Sequence, residues 1–578
     1  MNTKCSLLCQ AGLGVLLTIS VGAAAQAKPV RHHRHAAPMA DRAGGAIALE
    51  QQVKALKDEV AALQSWRDAE VSRHSQVDQQ VNDLQQQLAA SDARAKAAQA
   101  DAREEIQTLP SQVKSEIAAE QPKDGKAHYK GVALTLGGFA AAEAVYRSRN
   151  EEADIGSSFA KIPFDNAPLA HVDEARATAR QSRLSLLAEG DINPQTHAAF
   201  YTELDFLAGP QTGNSNESNS YSPRIRNVYA TLDWDHVGMS NLHLLAGQNW
   251  SLATMNSKGI TPRNELPPPT IDAQYVTGFV WARQPQIRLT ADFDDRQIWA
   301  AVSLENPQTT FASAATGTTG TSVAGLTVTD NGAPTSQFDS ANTLSLNHAP
   351  DVIGKLAFEP DLFGSRPVHL EVFGIYRDLY DRVNVTTAAN ALNLPVGASN
   401  QDTAAGGVGG GVTWTAIPKL LDLEVSALTG RGLGRYASGS LPDSVVGPNG
   451  ALKPIPETAA MFGATLHATP AIDLYLFGGE EHENRVAHTI GANHYGFGSP
   501  FATLANCSVE GGSCTPDVQL MTQLAGGFWD KIYQGSFGSV RFGVQYSYTE
   551  LTAFSGATGG QPRTNDSMVF TSFRYYPF

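Results

Sequence analysis

The sequence predicts an all-β fold, a transmembrane antiparallel β-barrel of about 16 strands, carrying an N-terminal α-helical coiled coil. Three observations predict it. From about Lys130 onwards apolar and polar residues alternate with a period of two. The links between the alternating segments are short and long in turn, as in barrels whose turns face one compartment and whose loops face the other. Before the alternation begins, a heptad repeat runs through residues 46–108.

Taken in chain order, residues 1–27 read as a secretory signal peptide. Lys4 gives a weakly positive start, residues 7–21 are mostly apolar, and Ala25-Gln26-Ala27 is an A-x-A cleavage site that places the mature start at Lys28. The apolar run falls short of the about 20 residues that a spanning helix needs. Cys5 and Cys9 leave with the signal. Cys507 and Cys514 remain, and an oxidising compartment favours a disulfide between them that pins a surface loop. Residues 28–45 form a leader with His32, His33 and His35 among small residues and Pro29 and Pro38. They read as a disordered, weakly basic tether, with metal binding by the histidines as the alternative.

In residues 46–108, Leu49, Leu56, Leu63, Val77, Leu84 and Ala98 fall seven or fourteen apart, and Val53, Val60, Val81, Leu88, Ala95 and Ala102 form a second series four residues later. This is the a/d seam of a coiled coil, and valine at a with leucine at d leans towards two strands. Arg67, Glu70 and His74 occupy three consecutive seam positions and weaken it. A single amphipathic helix is the alternative. Pro110 and Pro122 end the repeat, and residues 109–129 are a linker.

Residues 130–578 are the barrel. Ile287, Leu289, Ala291 and Phe293 alternate with Gln286, Arg288, Thr290 and Asp292; Val540, Phe542, Val544, Tyr546 and Tyr548 alternate with Arg541, Gly543, Gln545 and Ser547. A soluble sandwich would alternate too. Segments about ten residues long and links of alternating length favour a membrane barrel. Short links are expected at 193–196, 294–296, 360–366, 417–420 and 469–471, and long ones at 148–179, 250–282, 306–350, 379–404 and 431–456. Sixteen strands put both barrel ends and the coiled coil on the short-turn side, the periplasm; fourteen or eighteen remain open because the glycine-rich stretch 406–415 is hard to register. The chain ends on aromatic residues suited to an interfacial belt. Ser572 and Arg574 break the alternation that Tyr576 and Phe578 imply, so a register shift is expected there.

These residues resemble the DcaP-like porin family. The resemblance lies in the heptad helix before a barrel, in Arg180-Gln181-Ser182-Arg183-Leu184, in Ala246-Gly247-Gln248-Asn249-Trp250-Ser251, in Arg283-Gln284-Pro285-Gln286-Ile287-Arg288, and in the terminal aromatic. It covers nearly the whole mature chain. It implies a trimer with a periplasmic coiled-coil extension, and diffusion of small anionic solutes, including dicarboxylic acids.

A pore of this kind needs field-shaping charges on its inner face. The candidates are Arg183 on strand two, Arg224 and Arg226 on strand four, and Arg283 and Arg288 on strand six. Charges against lipid would cost about 2–4 kcal/mol at the midplane, so these should face the lumen or its mouth. The loop after strand five carries Arg263, Glu265, Pro267-Pro268-Pro269 and Asp272, and is the candidate to fold into the lumen, with Glu265 and Asp272 opposing the arginines. Glu203, Asp205, Glu305, Glu371, Asp422 and Glu424 also lie on polar faces. Acidic residues outnumber basic ones, 57 to 42, which disfavours nucleic-acid partners. No nucleophile, nucleotide or metal motif appears, so neither an enzyme nor a cofactor is expected. The expected partners are further copies of the chain, outer-membrane lipid and lipopolysaccharide, small anions and, through the coiled coil, peptidoglycan. A structural protein that tethers the envelope is the alternative function.

Overall fold

The computed structural model describes residues 126–208, 222–293, 295–312, 321–323, 326–330, 344–360, 367–387, 394–490 and 493–577, with scattered positions between 53 and 96. The chain divides into two units, residues 1–120 and 121–578. In the first, the described positions from Val53 to Lys96 are helical and exposed, including the seam residues Val53 and Val60. The signal peptide, the His-rich leader, Pro110, Pro122 and Phe578 lie outside the described residues.

The second unit is a closed antiparallel barrel of sixteen strands. They are β1 (Val132–Arg147), β2 (Arg183–Asn193), β3 (Thr196–Asp205), β4 (Arg224–Val237), β5 (Ser240–Trp250), β6 (Arg283–Phe293), β7 (Ile298–Glu305), β8 (Asp351–Phe358), β9 (Val368–Val385), β10 (Gly397–Ile417), β11 (Leu421–Arg431), β12 (Pro456–His467), β13 (Ile472–Glu483), β14 (Val518–Gly535), β15 (Gly538–Ala553) and β16 (Arg563–Tyr576). Each pairs with the next, and β16 closes on β1 from Ala140↔Tyr575 to Arg147↔Met568. Closure leaves no open edge, the condition for strands in lipid, where backbone groups find no water.

The barrel is apolar outside and polar inside. On β6, Ile287, Leu289 and Phe293 are exposed, whereas Gln284, Gln286, Arg288, Thr290 and Asp292 are buried. Leu184, Phe200, Val372, Phe462, Leu476 and Phe573 extend the outer face around the ring. One irregularity matters for charge. Between β3 and β4 the register shifts, Glu203↔Asn227 being followed by Leu204↔Ile225, so Arg226 is the extra residue of a bulge. A strict alternation would send Arg224 and Arg226 to the face opposite Tyr229 and Thr231. The bulge lets all four point inwards, and Tyr229, Thr231 and Arg226 are buried.

Some expectations need correction. Residues 379–404 are not one long loop: β9 and β10 run 18 and 21 residues and pair continuously, leaving only 386–396 between them. The glycine-rich stretch joins this ladder because glycines let neighbouring groups approach closely; a Cβ on Gly410 would meet the Glu371 carbonyl at 2.4 Å. Nor does β16 shift register at its end. It pairs with β15 without interruption from Ser539↔Tyr576 to Thr552↔Arg563. Met568, Phe570, Ser572 and Arg574 are its buried face and Val569 and Phe573 its exposed one, so Arg574 obeys the alternation and Tyr576 shares its inner side.

The first family segment also sits differently from a plain strand. The lower part of β1 pairs with β2, and its upper part with the short strand Glu174–Thr178. Arg180, Gln181 and Ser182 fill the break. The Ser182 hydroxyl accepts from the Ala141 N–H at 2.9 Å, and Arg180 bonds Asp154 at 2.8 Å. Gly138 opposes the break with φ +128, where a Cβ would meet the Arg183 carbonyl at 2.2 Å.

Candidate functional site

A loop that enters a barrel carries its backbone N–H groups into a closed space, and each needs an acceptor. The loop after β5, residues 251–282, solves this by bonding to wall side chains all round the lumen. The N–H of Leu252 donates to Glu305 on β7 at 2.8 Å and that of Asn256 to Glu371 on β9 at 3.2 Å. Those of Ile271, Thr277 and Gly278 donate to Gln545 on β15, Gln523 on β14 and Glu481 on β13 at 2.6, 3.0 and 2.8 Å. The indole of Trp529 donates to the Pro269 carbonyl at 2.8 Å. The loop therefore crosses from one wall to the other. A finger from Met255 to Leu266 dips to the turn between β8 and β9, where the Gly259 N–H donates to Glu359. Its apolar side packs on the wall: Leu252, Ala253 and Ile260 join Trp299, Ile353, Ala357 and Phe373 in one buried cluster.

Two other outer loops fold inwards with it. Residues 432–455 meet it through Trp281 N–H to the Tyr436 carbonyl at 2.8 Å and Ser438 N–H to the Phe279 carbonyl at 3.1 Å. The loop after β1 places Ile155, Phe159 and Ile162 against Val276, Phe279 and Phe570.

Beneath the crossing loop lies a cavity of about 540 Å³. Arg183, Arg226, Arg541 and Arg574 line it, and so do Asp272, Asp422, Glu424 and Asp473. In the ring of sixteen, β2 and β4 stand five to seven strands from β11 and β13, eight being diametrically opposite. The arginines of β2 and β4 thus oppose the carboxylates of β11 and β13, with Arg541 and Arg574 on the wall between. The prolines Pro267, Pro268 and Pro269 form the roof.

The expected site residues divide by surroundings. Arg183 lines the cavity with its guanidinium over the Phe139 ring at 5.3 Å and Glu203 4.0 Å away. Arg226 lines it while bonded to Glu203 and, at 3.1 Å, to Asp205. Arg224 grips Asp205 bidentately at 2.9 and 2.7 Å and is not in the cavity wall. Arg283 lies over the Trp250 and Trp281 rings at 5.0 and 5.1 Å, and has no carboxylate within 4 Å among the described residues. Arg288 is buried behind the loop and donates to the Trp250 carbonyl at 2.6 Å and the Gln286 side chain at 3.0 Å. Arg263 faces a second cleft, over Tyr201 at 5.7 Å and 3.8 Å from Glu189.

The two loop acids do not confront the arginine row as free charges. Glu265 accepts from Asn249 at 3.2 Å; burial pushes its carboxyl above the ordinary range, with Arg288 pulling it back. Asp272 accepts from the Ser157 and Gln274 N–H groups at 3.0 and 2.9 Å; burial pushes it up as well, against those bonds. Cys507 and Cys514 face each other in the outer loop between β13 and β14, Cα atoms 5.1 Å apart, within disulfide reach.

Arg541 and Arg574 were not among the expected residues. Arg574 is held by Glu143 at 2.9 Å and Gln181 at 2.7 Å. Arg541 lies over the Tyr576 ring at 4.7 Å and has no carboxylate within 4 Å among the described residues. Arg541 stood in plain sight on the polar face of β15. Only closure of β16 onto β1 brings it round to Arg183.

The same geometry sorts the acids. Glu305 and Glu371 cap loop N–H groups, and Glu203 and Asp205 neutralise Arg224 and Arg226. Of the six acids singled out on polar faces, this leaves Asp422 and Glu424 at the cavity. Glu424 has one carboxylate oxygen buried without a hydrogen-bond partner among the described residues.

A sixteen-stranded antiparallel barrel with an apolar belt, a polar lumen and an inward loop is the architecture of the outer-membrane porins. The structure is similar to the outer membrane channel DcaP of Acinetobacter baumannii, with a TM-score of 0.51 and 18% identity over 78% of this chain and 98% of that one. OprB of Pseudomonas putida matches at a TM-score of 0.41 and 9% identity, covering 77% of this chain and 94% of its own. OmpF of Salmonella typhi matches at 0.39 and 10%, covering 78% and 100%. No family model and no curated protein matches the chain.

Proposed function

We propose that this chain is a diffusion porin of a Gram-negative outer membrane, passing small polar solutes and favouring anions such as dicarboxylates. The observation that carries the anion preference is the cavity wall on which Arg541 stands with no carboxylate within 4 Å among the described residues, beside Arg183, whose nearest carboxylate is 4.0 Å away, and Arg574. Guanidinium groups pair bidentately with carboxylates, and a solute with two carboxylates can engage two of them in passing. The helical positions before the barrel support a periplasmic coiled coil, which would assemble copies of the chain, as a trimer, and reach peptidoglycan. The outer rim would contact lipopolysaccharide.

The test is reconstitution into planar bilayers, with conductance and reversal potential measured in a KCl gradient and liposome swelling followed for mono- and dicarboxylates. The expected result is a steady conductance with an anion-selective reversal potential. Absence of conductance overturns the porin reading, and clear cation selectivity overturns the anion preference.

A further inference from the structure

Four of the short periplasmic links carry the same device. On β3, His197 has Nδ1 2.6 Å from Asp191 of β2 and Nε2 3.2 Å from Asp235 of β4. On β5, His243 has Nδ1 2.6 Å from Asp233 of β4 and Nε2 3.0 Å from Asp292 of β6. On β9, His369 has Nδ1 3.1 Å from Glu359 and Nε2 3.0 Å from Glu371. On β12, His467 has Nδ1 2.7 Å from Asp473 of β13 and Nε2 3.0 Å from Asp422 of β11. Each ring thus has a carboxylate on both nitrogens. A neutral imidazole carries one donor, so it satisfies one carboxylate and turns a lone pair on the other; only the imidazolium donates to both.

The first two sites are contiguous. Asp191, His197, Asp233 and His243 are successive cross-strand partners, so acid and base alternate along one row at the periplasmic end of β2–β5, and the contact of His243 with Asp292 extends it diagonally to β6. His197, His243, Asp191 and Asp235 line one cleft of about 690 Å³. His467 with Asp422 and Asp473 lines the cavity beneath the crossing loop.

Among the described residues, few other charges face these rings. Glu189 and Arg263 share the cleft with His197. Arg296 lies 3.8 Å from Asp292 beside His243. Lys355 bonds Glu371 at 2.7 Å and Lys258 stands near Glu359 beside His369, while Lys531 lies 3.1 Å from Asp473 beside His467. None of these cations donates to a histidine nitrogen.

We infer that His197, His243, His369 and His467 are a second set of selectivity-determining residues, which sets the charge of the periplasmic mouth by protonation. Counting the ring and its two carboxylates alone, each site carries one net negative charge with the ring charged and two when a proton leaves, and the neighbouring cations are the same in both states. The mouth therefore attracts cations more strongly as pH rises, and the anion preference of the pore weakens. One unit charge about 10 Å from the ion path changes the anion-to-cation permeability ratio about fourfold unscreened, and about twofold at 0.1 M salt. This rests on the channel reading, and two measurements keep their failures apart.

The first is ¹⁵N NMR of the histidine-labelled protein in detergent, which needs no conductance. Each signal is assigned by its loss in a single His→Gln variant, and glutamine keeps one donor for the fold. The expected result is imidazolium nitrogens at all four positions below the transition, and loss of one proton per ring between pH 5 and 9. Neutral rings throughout that range overturn the inference. The second is reversal potential against pH in bilayers. The wild type should lose anion preference by a factor of two or more across the transition that NMR reports, while the fourfold variant H197Q/H243Q/H369Q/H467Q should lack that step. An equal step in the variant overturns the inference. No conductance in any sample overturns the inference and the porin reading together; conductance without the step overturns the inference alone.

Discussion

Replacing Arg541 with alanine should shift selectivity towards cations by an amount the cavity itself sets. A sphere of about 540 Å³ has a radius of about 5 Å, so an ion at its centre passes a wall guanidinium at about 7 Å. At the dielectric constant of water, a unit charge at that distance contributes about 0.6 kcal/mol, attractive to an anion and repulsive to a cation. The anion-to-cation ratio feels the difference of the two, about 1.2 kcal/mol, or about sevenfold. Screening at 0.1 M salt halves the energy and leaves about threefold. Arg541 is suited to the test because it has no carboxylate within 4 Å among the described residues, so its removal strands no buried partner. The assay is reversal potential in a KCl gradient at 0.1 M and again at 1 M, where the shift should nearly vanish. Glu424→Gln should move it the opposite way. An unchanged potential for both variants would refute the transverse-field account of this cavity.

Other outcomes follow from the same contacts. Trp250→Ala removes the ring beneath Arg226 and Arg283, and a large-to-small change at a buried aromatic costs about 3–5 kcal/mol; melting in detergent should fall accordingly and channel noise rise, because the crossing loop starts there. Gln545→Leu leaves the Ile271 N–H without its acceptor at a cost of about 1–3 kcal/mol, and should raise open-channel noise with little change in selectivity. Burial pushes the Glu151 carboxyl in the loop after β1 up to about 8 against the pull of Arg147, so between the ordinary carboxylate range and pH 8 the folded chain holds a proton that the unfolded chain has released. Stability should then fall as pH rises through that window, by at most about 1.4 kcal/mol per pH unit, and Glu151→Gln should flatten the slope in a denaturation series. Reduction should open the outer loop holding Cys507 and Cys514 to protease while conductance stays unchanged; altered conductance would place that loop in the ion path.

The barrel was legible because lipid imposes a simple rule on each strand. Ile287, Leu289 and Phe293 had to face out if Gln286, Arg288 and Asp292 faced in, and strand number followed from counting such segments. The site was less legible, for three physical reasons. A bulge at Arg226 changes face without changing composition. Ring closure makes neighbours of residues almost the whole barrel apart in sequence, such as Arg541 and Arg574 with Arg183. The polar face of a strand also gives no sign of whether a charge meets water or a loop N–H: Glu305 and Glu424 look alike in sequence, yet one caps Leu252 and the other faces the cavity. The histidines at the short turns share this difficulty. His197 and His243 sit on ordinary alternating segments, and only strand pairing puts a carboxylate on each side of them.

The distinction between neutralised and unneutralised charge is also what the proposed anion preference requires of a chain with a net charge of −15. Selectivity depends on the field where the path is narrow, and a paired charge contributes little there. Arg224 and Asp205 cancel at 2.7 Å, as do Lys355 and Glu371. Breaking such a pair strands a buried charge and destabilises the lumen, so its loss should appear first in folding yield. Removing an unneutralised charge such as that of Arg541 should leave folding intact and appear in the reversal potential. Arg224→Ala and Arg541→Ala, each scored for melting temperature and for selectivity, should therefore separate: the first mainly loses stability and the second mainly loses anion preference. Equal loss of stability in both would mean that Arg541 has a structural partner after all, and the field at the cavity would then have to be assigned to Arg183 and Arg574.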